Sequence, residues 1–142
     1  MTETAPGRRR PFEPPISDLT IPFWDATRTE RLLVQWCTSC EEPVWFPREV
    51  CLHCLGNALE WRESAGTGSV YAFLVEHRPN LPDVFGDAPY VVALVELDEG
   101  VRLMTNIVGC PPEAVAVGMP VRVTWEPLSD GRNLPLFEPA PS

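Results

Sequence analysis

The sequence predicts a mostly β protein in which a short N-terminal helix and a four-cysteine metal ribbon precede a small five-stranded barrel. Three observations carry that reading. Two matched C-x2-C pairs fall within residues 37–54, short strand-like runs follow Gly66, and turn residues separate those runs. At 142 residues with 44% hydrophobic content, the chain suits one domain, or a small module attached to one, with a buried core.

Residues 1–21 combine Pro, Thr and Arg without periodicity and read as a flexible tail able to wrap a partner. Arg8-Arg9-Arg10 are followed by no apolar stretch, so the segment does not read as a signal peptide. No apolar run approaches the roughly eighteen residues of a membrane span. A cytoplasmic protein without membrane contact is therefore expected. Residues 22–31 predict a short helix, with Pro22 in the first turn and Asp25 near its positive end. Residues 32–36 favour a strand that runs into the first cysteine pair. Residues 59–63 alternate weakly and read as the return strand, closing a first unit over residues 22–64.

The second unit, residues 65–142, carries five expected strands, at 69–77, 89–97, 101–108, 121–127 and 134–137. Between them stand Asp98-Glu99-Gly100, Gly118-Met119-Pro120 and Ser129-Asp130-Gly131, each a turn signal. Five short strands in this span are the footprint of a closed or half-closed barrel. The proline-rich end from Leu134 to Pro141 fits either the closing strand or an apolar strip lying on a partner.

The formal net charge is −9, and all eleven basic residues are arginine. Three of these lie in the tail and the other eight are scattered, so a phosphate backbone would be repelled and nucleic acid is an unsuitable partner.

Cys37-x2-Cys40 and Cys51-x2-Cys54 are ten residues apart. Each C-x2-C turn aims backbone N–H groups at its sulfurs, and two facing turns build a tetrahedral four-thiolate site. Softness and geometry select zinc, with iron as the competitor. Four protein ligands leave no open position for substrate, so the zinc is structural. It supplies stability that so short a segment cannot gain by burial. Trp45 and Phe46 are adjacent, and in extended backbone they point to opposite faces, which fits either exposure of at least one on a binding surface or burial against the barrel. His53 reads as a surface residue of its knuckle. His77 and Cys110 lack sequence partners for catalysis, and no nucleophile motif or phosphate loop is present. No catalytic residue is assigned.

The series from Leu33 to Cys40 and from Trp45 to Cys54, followed by Glu60-Trp61, Ser64-Ala65-Gly66-Thr67-Gly68-Ser69-Val70-Tyr71, Pro89 to Leu97, Glu99 to Asn106 and Gly118-Met119-Pro120-Val121, resembles one family. Its members, long catalogued as a domain of unknown function, join a rubredoxin-like zinc ribbon to an OB-fold. The resemblance spans residues 22–140. It implies a five-stranded OB-fold barrel and a non-catalytic accessory subunit of a thiolase-superfamily acyl-CoA enzyme, including the steroid side-chain retro-aldolases. It further implies a hetero-oligomer with acyl-CoA held at the shared interface. Arg48, Arg78, Arg102 and Arg132 are the candidates for the CoA phosphates, although nothing in the sequence brings them together. Two rival readings stand beside this one: a single-stranded nucleic-acid binder, and a self-sufficient small acyl-CoA enzyme using Cys110 or His77.

Overall fold

The computed structural model describes residues 13–77 and 89–141. Within the stretch expected as a tail, Asp18–Thr20 forms a 3-10 turn that leads directly into helix α1, Ile21–Thr27. Pro22 occupies the first turn of α1, as its missing N–H allows. The helix is shorter than the expected 22–31, and its ending has a clear physical reason. Glu30 takes the left-handed conformation at φ 59°, Arg31 N–H donates to Ala26 C=O at 3.0 Å, and Glu30 N–H donates to Thr27 C=O at 3.0 Å. This pair of bonds is a Schellman stop with glutamate in place of the usual glycine.

Strands β1 (Leu33–Cys37), β2 (Glu42–Val44) and β3 (Leu59–Glu63) form an antiparallel sheet in the order β2-β1-β3. The remaining strands are β4 (Thr67–Glu76), β5 (Tyr90–Leu97), β6 (Arg102–Ile107), β7 (Pro120–Pro127) and β8 (Asn133–Pro139). They close a barrel in the order β4-β5-β6-β8-β7, with β7 returning to β4. All five barrel strands lie where the sequence placed them, within a few residues. Alternation explains β5, where Val91, Ala93, Val95 and Leu97 point inward and the residues between them stay half-exposed. The C-terminal strip is barrel strand β8 rather than a free partner-binding segment, because Leu136 and Phe137 are buried and the strand pairs with β7 along its whole length.

One continuous core joins both parts. Phe23 and Trp24 of α1 and Leu32 and Val34 of the ribbon pack in the same buried cluster as Val70, Val95, Leu103, Val121 and Phe137. Side-chain bonds reinforce the seam. Thr27, fully buried, accepts the Asn133 N–H at 3.2 Å, and the Asn133 amide donates to the Thr27 carbonyl at 2.8 Å. Where β4 crosses β5, Gly68 lies so close to the Glu96 carbonyl that a Cβ would collide with backbone. Gly68→Ala is therefore expected to cost about 1–3 kcal/mol by forcing the strands apart, read as a lowered midpoint in urea unfolding.

Candidate metal centre and adjoining apolar groove

The four sulfurs predicted to bind metal do converge. The Sγ atoms of Cys37, Cys40, Cys51 and Cys54 lie within 4.8 Å of one another. Cys37 and Cys54 are 3.7 Å apart, and Cys40 and Cys51 are 3.6 Å apart. A tetrahedral ion with bonds of about 2.3 Å to sulfur sets neighbouring sulfurs about 3.8 Å apart, so the cage fits zinc. The two knuckles repeat the same local geometry. Glu41 N–H donates to Cys37 C=O and Leu55 N–H donates to Cys51 C=O, both at 2.9 Å. Glu41 and Leu55 both take the left-handed conformation, at φ 59° and 62°. His53 N–H donates to the Cys51 sulfur at 3.3 Å, while the His53 side chain stays on the surface.

The first cysteine of each knuckle is the more acidic. The Cys40 N–H group holds Cys37 down at about 7. Burial raises Cys51, but the N–H groups of Cys54 and His53 outweigh it and leave its thiol lowered. Cys40 is pushed up to about 12, by burial first and then by the neighbouring thiols. Four sulfurs in mutual contact cannot all ionise without a cation between them.

A groove of about 430 Å³ opens beside the ribbon, between α1 and the barrel. Its walls are Pro14 and Ile16 of the N-terminal segment, Phe23 and Trp24 of α1, Trp45 and Phe46 of the ribbon, and Met104, Leu134 and Pro135 of the barrel. Among the described residues, no charged side chain lines it. The rings stack edge to face, with Phe23 to Trp24 at 5.0 Å, Phe23 to Trp45 at 5.6 Å and Trp45 to Phe46 at 6.1 Å. Trp45 packs against the core, whereas Phe46 is 58% exposed. Of the two alternatives, exposure applies to Phe46 and packing against the core to Trp45, and both line the same groove.

Two positioning residues escaped the sequence reading. Gln35, buried on β1, accepts the Arg48 N–H at 2.7 Å and donates to the Arg48 carbonyl at 3.0 Å, fixing the loop that carries Trp45 and Phe46. Its only sequence signal is an amide inside an apolar run. Glu13 accepts bonds from the Ser129 N–H and hydroxyl at 2.9 and 2.8 Å, which ties the N-terminal wall to the β7–β8 turn. Nothing in the sequence marked that pairing across the chain.

The arginines named for CoA do not gather. Arg102 pairs with Glu96 at 3.2 Å and lies 3.7 Å over the Tyr71 ring. Arg132 is buried, pairs with Asp130 at 2.8 Å and sits 4.8 Å over Trp24. Arg28, Arg31, Arg62 and Arg122 each pair with a carboxylate as well. The Arg48 backbone is clamped by Gln35 and its Nε is buried, and Arg78 lies outside the described residues. Among the described residues, then, no basic groove forms for a phosphate backbone. His77 is exposed after β4, and Cys110 packs half-buried against the barrel core. No helix among the described residues is long and apolar enough to cross a membrane.

Comparison with known proteins agrees with this architecture. The profile described as "ChsH2, rubredoxin-like zinc ribbon domain" matches residues 24–60, and "ChsH2, C-terminal OB-fold domain" matches residues 61–126. The "probable enoyl-CoA hydratase alpha subunit" of Thermomonospora curvata is 40% identical over 141 residues, which is 98% of this chain and 43% of that protein. A "DUF35 domain-containing scaffold protein" of Methanocaldococcus jannaschii is 38% identical over 97 residues, covering 66% of this chain and 67% of the relative. A solved chain of the "Ltp2-ChsH2(DUF35) aldolase" superimposes with a TM-score of 0.81 at 40% identity, covering 91% of this chain and all of that one. The chain thus spans less than half the length of the hydratase subunit it matches.

Replacing Cys40 by serine is expected to abolish stoichiometric zinc and to destabilise the ribbon by at least about 4 kcal/mol, read by metal analysis and thermal unfolding. Zinc displaces the proton that Cys40 holds at neutral pH, so binding releases protons. Zinc affinity is accordingly expected to weaken as the pH falls, and more steeply below about 7, where Cys37 of the metal-free cage also takes up a proton. Zinc release against pH, followed with a chromogenic chelator, checks the sign.

Proposed function

The chain belongs to the ChsH2 family of rubredoxin-like zinc ribbons joined to an OB-fold, and from that premise we propose that it is a non-catalytic accessory subunit which docks on and stabilises a thiolase-superfamily acyl-CoA enzyme. The observation that carries this reading is the apolar groove, which has aromatic walls and, among the described residues, no charged lining. Such a surface can hold an apolar side chain or acyl group. Its described lining, whose polar side chains include the hydroxyls of Ser17 and Thr20, offers no carboxylate, imidazole, amine or thiol for general acid-base work. The matched relatives named as a scaffold protein and as part of an aldolase support the same role.

The reading extends to the substrate. An acyl-CoA with a bulky apolar acyl part, as in steroid side-chain retro-aldol cleavage, would place that part at the shared interface. Its phosphates would be held by the partner, because six arginines here are already paired with carboxylates. The family resemblance supports this assignment, and the match to an aldolase supports the reaction type.

The Ltp2 subunit of that aldolase is the partner to test first. Co-expression of the full chain with Ltp2 is expected to give a co-eluting complex and a higher Ltp2 melting temperature. Phe46→Glu and Met104→Glu change exposed positions. Each is expected to leave the free chain folded and to weaken the complex about tenfold or more. Failure of the wild-type chain to bind Ltp2 would overturn the reading.

A further inference from the structure

The second knuckle of the ribbon carries a surface that folding does not explain. Val50, Leu52 and Leu55 lie within six residues around Cys51 and Cys54, and they are 45%, 55% and 75% exposed. Single exposed apolar residues need no explanation, but three on one metal knuckle do. Leu55 is the most exposed large apolar side chain among the described residues. It also sits at φ 62°, in the left-handed region where glycine is favoured and a branched side chain is strained. The first knuckle makes the comparison informative. Glu41 occupies the equivalent position at φ 59°, and its carboxylate is well suited to water. The leucine gains nothing comparable from exposure. The free chain thus bears both a backbone cost and a solvation cost at one residue, which points from an observed outlier to a function.

The charges around this knuckle define what it fits. Over residues 37–57 the side chains offer Glu41, Glu42 and Glu49, all exposed, against the single arginine Arg48, whose Nε is buried. Four thiolates around a divalent ion add two uncompensated negative charges behind the patch. We propose that Leu55, flanked by Val50 and Leu52, is the anchor of the partner interface, inserting into an apolar pocket edged by lysine or arginine side chains on the enzyme subunit. This inference rests on the accessory-subunit reading above and names the chemistry of the partner surface. The apolar anchor supplies the affinity, and the negative rim sets encounter rate and orientation.

Leu55→Gly separates this role from a structural one, because glycine suits the left-handed backbone while removing the anchor. Binding of the full zinc-loaded chain to Ltp2 would be measured at low and high salt, with the thermal midpoint and zinc content of each variant determined alongside. Leu55→Gly is expected to weaken binding tenfold or more while keeping zinc and leaving the free chain's midpoint unchanged or higher. Val117→Gly, a change at another exposed apolar position, is expected to leave binding unaltered. The Glu41→Gln/Glu42→Gln/Glu49→Gln variant is expected to flatten the dependence of the association rate on salt. A wild-type complex that Leu55→Gly does not weaken would overturn the anchor and leave the accessory reading standing. Absence of any wild-type complex would instead overturn the accessory reading. Lost zinc or a lower midpoint in Leu55→Gly would make the residue structural. A free chain that self-associates through Leu55 would make the occupant a second copy, and unchanged salt dependence would refute the basic rim.

Discussion

The four sulfurs give residues 37–59 their shape, because little else in that stretch can. Its own buried cluster consists of Cys37, Val44 and Cys51, with Cys40 and Leu59 packed against it, so three of the five members are metal ligands. So little apolar area cannot offset the entropy of ordering the backbone. The ion that fits the cage supplies the missing free energy and fixes both knuckles at once. From that fixed frame β1 presents Gln35, Gln35 clamps Arg48, and the clamped loop sets Trp45 and Phe46 against α1. The ribbon's share of the groove wall thus stands on the frame that the cage sets, although no cysteine lines the groove.

The barrel contributes the opposite wall and the rigidity. Because Leu32 and Val34 share the barrel's core, the ribbon is not hinged on a linker but packed in place. The exit from β3 is pinned too, with the Ser64 hydroxyl and Ala65 N–H donating to the Glu99 carboxylate at 2.8 and 2.9 Å. The surface ion pairs play a different part. Exposed pairs such as Arg31 with Glu63 add little stability. They do neutralise most of the described arginines, and so leave the molecule's outward field to its unpaired carboxylates.

Much of this architecture was legible in the sequence, for reasons that differ by element. The metal cage is local, two three-bond turns repeated, and spacing alone announces it. The barrel strands are bounded by turns whose chemistry is also local, such as Asp98-Glu99-Gly100 before β6. What depended on distant partners was not legible. Glu30 stops α1 although no glycine marks the site, because the Schellman bonds and the Thr27–Asn133 contacts hold it there. The C-terminal strip could not be told from a partner-binding segment until β7 was seen beside it. Likewise, Trp45 and Phe46 could be called exposed or buried only once Gln35 and Phe23 were placed.

The distribution of charge bears on the division of labour proposed between this chain and an enzyme partner. A subunit rich in free arginines would compete for the phosphates of CoA and draw the substrate away from the reacting atoms. Here the arginines Arg28, Arg31, Arg62, Arg102, Arg122 and Arg132 are occupied internally, and the described groove lining is uncharged. An enzyme that binds CoA must gather cations around its nucleotide site, and those cations attract an acidic neighbour over about a Debye length. Docking such a neighbour close by partly offsets the mutual repulsion of the enzyme's cations without placing a competing base in the active site. An acidic chain with an apolar groove and no free cationic cluster among its described residues is therefore suited to the accessory place proposed above, beside acyl-CoA chemistry.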